Sequence, residues 1–329
     1  MMRAAVLGAG SWGTALALAL ARNKTPVRLW ARNSDTYKNL LLKRANEPYL
    51  PGVKIPEQVR PTNSLGEALQ GAELVILAVP PSGLRELAAA IRGMLPSRPL
   101  LVSGAKGLEG GTGLCPSQIL EQELKDFRER IAVISGPAHA EELARGLPTA
   151  VVAAAGNPEP ARQIAEMLAA PALQVYTGGD LVGVEVGGAL AGMFALGAGI
   201  MEGLGLGESA RAILAAGGFR EMLLLGEALG GHRETLSGLA GLGDLVAGCF
   251  SRLPNRNREA GIMLARGRLP GEGAPGSKAA AEGIFTARAV GKLAAQHRLE
   301  MPIAREIGAV LFEGKPPREA AEAIMHRQR

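Results

Sequence analysis

The sequence predicts an α/β protein: a doubly wound parallel sheet in the N-terminal half, followed by an all-helical domain. Three observations predict it. A short apolar run, Ala4 to Leu7, passes through Gly-Ala-Gly-Ser-Trp-Gly at 8–13 into an alanine- and leucine-rich helical stretch. Strand-like apolar runs then alternate with helical patterns as far as residue 178. Beyond Gly178-Gly179-Asp180 the strand pattern stops, and helical patterns rich in small residues remain. The expected domains are therefore 1–178 and 179–329.

Strand, glycine turn, helix is the order in which Gly-x-Gly-x-x-Gly carries meaning. Gly8 permits the tight turn, Gly10 keeps any side chain from between the backbone and a pyrophosphate, and Gly13 lets helix and strand pack closely. The helix start, with Ser11 and Trp12, offers N–H groups and a partial positive charge to phosphates. This is a Rossmann-type dinucleotide site. The second strand, Val27 to Trp30, ends in Trp30-Ala31-Arg32-Asn33, with no acid to bind a ribose 2′-hydroxyl. Arg32 can face a 2′-phosphate, stack on adenine, or be an ordinary surface arginine. NADP is thus tolerated, and NAD stays open. Residues 46–56 hold three prolines and read as an irregular loop at the sheet edge. Further strands are expected at Glu73 to Val79, Leu100 to Ser103, Ile131 to Ser135, Thr149 to Ala154 and Leu173 to Tyr176. Their carboxyl ends, where ligands sit in such sheets, lead into Pro80-Pro81-Ser82, Gly104-Ala105-Lys106-Gly107 and Gly136-Pro137-Ala138-His139-Ala140.

Composition narrows the function. A chain of 329 residues with 47% apolar content suits about two domains. Aromatics make up only 3%, so the interior must rely on small aliphatic groups and closely approaching backbones. The net charge of +5 is scattered without a basic run, which argues against a nucleic-acid face and suits a small anionic substrate. Cys115 and Cys249 lack metal-ligand spacing, and the four histidines are dispersed, so no metal site is expected. The N-terminus enters the nucleotide motif at once, unlike a signal peptide. Gly187 to Leu206 is glycine-rich and interrupted by Glu202, unlike a membrane span. A cytoplasmic protein is expected.

Outside the glycine turn, Lys106 stands at the carboxyl end of a central strand beside glycines, placed to bond an anionic or carbonyl oxygen. The helical half carries Ala-Gly-Leu-Gly-Asp at 240–244 and Pro-Asn-Arg-Asn-Arg at 254–258. Arg256, Asn257 and Arg258 precede a helix, and guanidinium forks with helix N–H groups match phosphate geometry. The plainer reading is an N-cap asparagine with solvated arginines. Asp244 is a cap or a hydrogen-bond partner for a substrate hydroxyl. Glu282 follows a Gly/Pro loop at Leu269 to Ser277, and is either a helix-start glutamate or within reach of the cofactor.

These motifs together resemble bacterial-type NAD(P)-dependent glycerol-3-phosphate dehydrogenase. The resemblance runs through GAGSWGTALA (8–17), LWARN (29–33), YLPG (49–52), AVPP (78–81), KGLE (106–109) and SGPAHAEELARGLPTA (135–150). It continues through GVEVGGAL (183–190), AGLGDL (240–245), NRNR (255–258), AEGIFT (281–286) and MPI (301–303). It implies reduction of dihydroxyacetone phosphate to sn-glycerol 3-phosphate for phospholipid synthesis, by a homodimer. By position it implies cofactor contacts from Ser11, Trp12, Arg32, Lys106, Ala140, Arg256 and Glu282, besides the glycine turn. It implies substrate contacts from Lys106, Gly136, Ala138, Asp244, Asn255, Arg256 and Asn257, with Lys106 and Asp244 at the chemistry. Asn255 stands where the family often has serine, and the stretch from Asp244 to Arg256 is one residue longer than usual.

One departure bears on mechanism. The family pattern follows GGAL with Lys-Asn, and that lysine is the general acid/base for the substrate's C2 oxygen. This chain has Ala191-Gly192 there, followed by Met193. An alkoxide formed by hydride transfer needs a proton or cation beside it, and alanine supplies neither. Either Lys106 covers the role, or the chain is a dehydrogenase-derived nucleotide- and phosphate-binding protein with weak or no turnover. A third reading is a related dehydrogenase for another small 2-hydroxy or 2-keto anion.

Overall fold

The computed structural model describes residues 3–96, 98–268 and 281–326. The chain divides into two compact units, Met1–Ala105 with Pro116–Leu181, and Lys106–Cys115 with Val182–Arg329. The strands are β1 (Ala4–Leu7), β2 (Val27–Trp30), β3 (Ala45–Asn46), β4 (Leu50–Lys54), β5 (Val59–Thr62), β6 (Leu74–Leu77), β7 (Leu100–Ser103), β8 (Ile131–Ser135), β9 (Thr149–Ala155) and β10 (Leu173–Gly178).

In the first unit an eight-stranded sheet runs β10-β9-β8-β7-β6-β1-β2-β5. The stretch β5-β2-β1-β6-β7-β8 is parallel throughout and has the 3-2-1-4-5-6 order of a dinucleotide-binding sheet. Strand order reverses between β1 and β6, so the glycine turn after β1 opens at the switch point where ligands bind. β1, β6 and β7 are buried along their whole length, which is why they read as unbroken apolar runs. The helices of this unit are α1 (Ser11–Arg22), α2 (Ser34–Lys38), α3 (Leu65–Leu69), α4 (Pro81–Ile91), α5 (Pro116–Glu123), α6 (Ala140–Arg145) and α7 (Pro158–Leu168).

Three features depart from the sequence expectation. The sheet is not wholly parallel: β9 pairs antiparallel with β8, and β10 follows β9. Alternating strand and helix patterns carry no information about strand direction at an edge. Residues 46–56 are not wholly irregular, because β3 and β4 form a small antiparallel pair. Pro51 is tolerated there because a two-stranded pair leaves edges free of ladder bonds. β5, with Pro61 inside it, is an edge strand that the alternation did not reveal.

The second unit is helical among the described residues: α8 (Leu181–Gly203), α9 (Glu208–Ala228), α10 (Arg233–Leu236), α11 (Asp244–Phe250), α12 (Arg256–Ala265), α13 (Glu282–His297), α14 (Pro302–Phe312) and α15 (Pro317–His326). The Gly/Pro loop expected at Leu269 to Ser277 lies outside the described residues. α8 is long and apolar enough to cross a membrane by length and composition, but 83% of its most hydrophobic window is buried inside the protein. Small residues let the other helices reach its backbone. A Cβ on Gly199 would lie 1.9 Å from the Arg258 carbonyl oxygen, and one on Gly261 2.0 Å from that of Leu196. Phe194 fills the core from the same helix.

Residues 106–115 join the helical unit although they follow β7 in the chain. Leu108 and Cys115 are buried in the helical core, and the Leu108 N–H donates to Thr286 Oγ1 at 3.4 Å. The Lys292 ammonium donates to the Gly111 carbonyl at 3.1 Å. These anchors attach Lys106 to the helices.

Candidate active site

In the first unit the glycine turn is built by close approach. Gly8 has φ +124°, and a Cβ there would lie 2.4 Å from the Ala78 carbonyl oxygen after β6. A Cβ on Gly13 would lie 1.9 Å from Gly8 O, so α1 can begin this near β1 only with glycine. Nothing lies within 4 Å of a Cβ on Gly10, whose outward side is open. These are the roles that a pyrophosphate cradle requires, so a dinucleotide fits the residues present. The first turn of α1 carries no acid, leaving its positive end uncompensated for an anion. The Ser11 hydroxyl donates to the Tyr49 carbonyl at 2.5 Å. Trp12 Nε1 is buried without a hydrogen-bond partner among the described residues, and its indole lies against Gly104 beyond β7.

Arg32 is exposed beyond β2 and pairs with no described residue, while Asn33 beside it caps α2 by accepting from Asp35 N and Thr36 N. The guanidinium is thus available to a ligand. Gly136 closes β8 with φ +145°, where any Cβ would meet the Ala150 carbonyl oxygen at 3.1 Å. Ala138 N donates to Gly136 O at 2.8 Å, and Ala140 opens α6.

The second unit holds the remaining candidates. Lys106 Nζ donates to Asp244 Oδ2 at 2.6 Å, with the carboxylate largely buried. Asp244 opens α11, whose Gly248 lies against Ala191 and Ala195 of α8. Ala191 is itself buried, in the helical core. Asn255 is the N-cap of α12, accepting from Arg258 N at 3.1 Å, so the plainer reading holds for its side-chain oxygen. Capping leaves the N–H groups of Arg256 and Asn257 outside the helical ladder and open to an anion. Arg258 is structural: it is buried and donates to the carbonyls of Ser251 and Leu253.

Asn257 has a determined orientation. Its Oδ1 accepts from Gly283 N at 2.9 Å, so Nδ2 is the end left to donate. A Cβ on Gly192 would lie 2.9 Å from that Nδ2, so Gly192 is what makes room for it. Arg256 and Glu282 form an ion pair at 2.8 Å, which brings together two residues far apart in sequence. Both thiols are buried, and burial pushes Cys115 well up and Cys249 up to about 12, so neither is a nucleophile.

Sequence reasoning missed Asn46. It is fully buried, and its Nδ2 donates to Ala9 O at 3.0 Å and to Thr14 Oγ1 at 2.8 Å. It lies in the proline-rich stretch read as an irregular loop, where no periodicity marked it.

Residues 3–161 match the family model for the N-terminus of NAD-dependent glycerol-3-phosphate dehydrogenase, and residues 180–322 match that for its C-terminus. A glycerol-3-phosphate dehydrogenase (NAD(P)+) of Moorella thermoacetica is 45% identical over 99% of this chain and 96% of its own length. That of Syntrophomonas wolfei is 42% identical over 100% and 96%. A crystal structure of glycerol-3-phosphate dehydrogenase from Coxiella burnetii superposes with a TM-score of 0.93 at 36% identity, covering 99% of both chains. On the glycine cradle, the sheet order and these matches along its length, the chain belongs to the NAD-dependent glycerol-3-phosphate dehydrogenase family.

Proposed function

We propose that the protein reduces dihydroxyacetone phosphate to sn-glycerol 3-phosphate, for phospholipid synthesis, using NADPH or NADH. The observation that carries the chemistry is the Lys106–Asp244 contact at 2.6 Å. When bound, the reduced nicotinamide supplies the hydride to C2. Charge then develops on the C2 oxygen, where Lys106 donates a hydrogen bond and then its proton. Asp244 holds that ammonium in place. The product alcohol gains one hydride and one proton, and Lys106 is reprotonated from solvent. Ala191 has no proton to give, so Lys106 takes the task that the family pattern gives to a lysine at that position. The phosphate takes the Arg256 guanidinium, Asn257 Nδ2 and the first N–H groups of α12. Arg32 meets the adenosine end of the cofactor.

The alternative of a nucleotide-binding protein without turnover has no support, since the relatives just described carry the names of dehydrogenases. A cytoplasmic homodimer belongs to the same proposal and follows the family resemblance. Purified protein should oxidise NADPH and NADH in the presence of dihydroxyacetone phosphate at ordinary enzyme rates, ~1–10³ per second. Cofactor binding without turnover would refute it, and light scattering after gel filtration would test the dimer.

A further inference from the structure

We infer that Asn46 is a positioning residue of the cofactor site, which sets the peptide plane of the glycine turn. The inference deepens the dinucleotide reading and rests on it. Asn46 lies on β3, outside the Gly-x-Gly-x-x-Gly motif, and is completely buried. Its amide donates to the Ala9 carbonyl at 3.0 Å and to the Thr14 hydroxyl at 2.8 Å. Only one orientation of the amide is possible there, because the Ala9 carbonyl can accept but not donate.

Holding that carbonyl has a direct consequence for the next residue. In a trans peptide the C=O of Ala9 and the N–H of Gly10 point in opposite directions from one plane. Drawing Ala9 O inward onto Asn46 turns the Gly10 N–H outward. The Gly10 N–H donates to no described residue, and a Cβ on Gly10 would have nothing within 4 Å, so no side chain crowds this peptide. The N–H is thus left to donate to a pyrophosphate oxygen. The second bond, to Thr14, ties the same amide to the first turn of α1, so turn and helix keep a common geometry.

Two further facts favour position over simple packing. Asn46 Oδ1 is buried with no partner among the described residues, a cost that an apolar residue of similar size would avoid. The β3–β4 segment is also fastened to the turn a second time, where Ser11 Oγ donates to the Tyr49 carbonyl at 2.5 Å. The Asn46 carbonyl takes part locally as well, accepting from Tyr49 N at 3.0 Å, so the segment that carries Asn46 is itself tethered.

The test is binding without turnover, by calorimetry, so that it does not depend on which substrate the enzyme reduces. NADH and ADP-ribose are titrated into wild type, Asn46→Ala and Thr14→Val. ADP-ribose keeps the pyrophosphate and lacks the nicotinamide. Asn46→Ala should weaken both ligands by the same factor, about tenfold, while KM for dihydroxyacetone phosphate and kcat at saturating cofactor stay within about twofold. Thr14→Val is nearly isosteric and leaves the Ala9 bond in place, so it should weaken both ligands less. If Asn46→Ala unfolds, Thr14→Val keeps the same readout. Unchanged ADP-ribose affinity in a folded Asn46→Ala protein overturns the inference. A parallel rise in KM for the triose phosphate also overturns it, since that marks general loosening. Failure of wild type to bind either ligand would instead refute the dinucleotide reading.

Discussion

Replacing Lys106 by alanine removes the group on which the proposed proton transfer depends, and its cost can be worked from the site. The Lys106–Asp244 hydrogen bond, at 2.6 Å with the carboxylate only 13% exposed, joins two charged groups. Bonds of that kind contribute about 1.5–3 kcal/mol, so the variant should also lose some stability. Loss of a general acid costs about 10²–10⁴ in rate, or roughly 3–5 kcal/mol of barrier. kcat with saturating NADH and dihydroxyacetone phosphate should therefore fall by about two to four decades. Lys106→Arg separates charge from proton delivery. A guanidinium keeps the cation but does not release its proton, so KM should recover more than kcat. Added methylammonium should restore part of the activity of Lys106→Ala and none of that of wild type. Steady-state kinetics of the three proteins supply the assay. A kcat for Lys106→Ala within about threefold of wild type would refute the reasoning, because no general acid worth naming contributes so little.

Other perturbations follow from the same geometry. Gly192→Asn places a Cβ 2.9 Å from Asn257 Nδ2, so it should displace that amide. KM for the triose phosphate should rise about tenfold, with the cofactor KM unchanged, in steady-state kinetics. Glu221 accepts from Ile303 N and Ala304 N at the start of α14, yet burial outweighs those bonds and pushes its carboxyl up to about 7. The folded state then holds more protons than the unfolded state between an ordinary carboxylate pKa and about 7, so stability should fall as pH rises through that window and level off above it. Urea unfolding at pH 5 and pH 8 checks this, and Glu221→Gln should flatten the difference. Arg32→Asp should lower kcat/KM for NADPH far more than for NADH, since an acid there repels a 2′-phosphate and accepts from a 2′-hydroxyl.

Much of the fold was legible in the sequence. β1, β2, β7 and β8 occupy the residues that the apolar runs marked. Gly8, Gly10 and Gly13 were readable because each glycine answers one steric demand of the turn. Lys106, Asp244, Arg256 and Asn257 were readable as residue types suited to an oxyanion and a phosphate. The double duty of Asn255, as helix cap and as substrate candidate, was visible only as a pair of alternatives.

The sequence by itself determined the local structure, because periodicity, glycine and proline act over a few residues. Tertiary structure decided what depends on residues distant in the chain. The reversed direction of β9 is set by its pairing with β8, which no local pattern encodes. Lys106 belongs with the helices because Leu108 and Cys115 are buried among them, although its chain neighbours form β7. Asn257 faces Gly192 and Gly283 only because α8, α12 and α13 approach through glycines. Asn46 reached the glycine turn from 37 residues away, through one buried amide whose partners exist only once the sheet has formed.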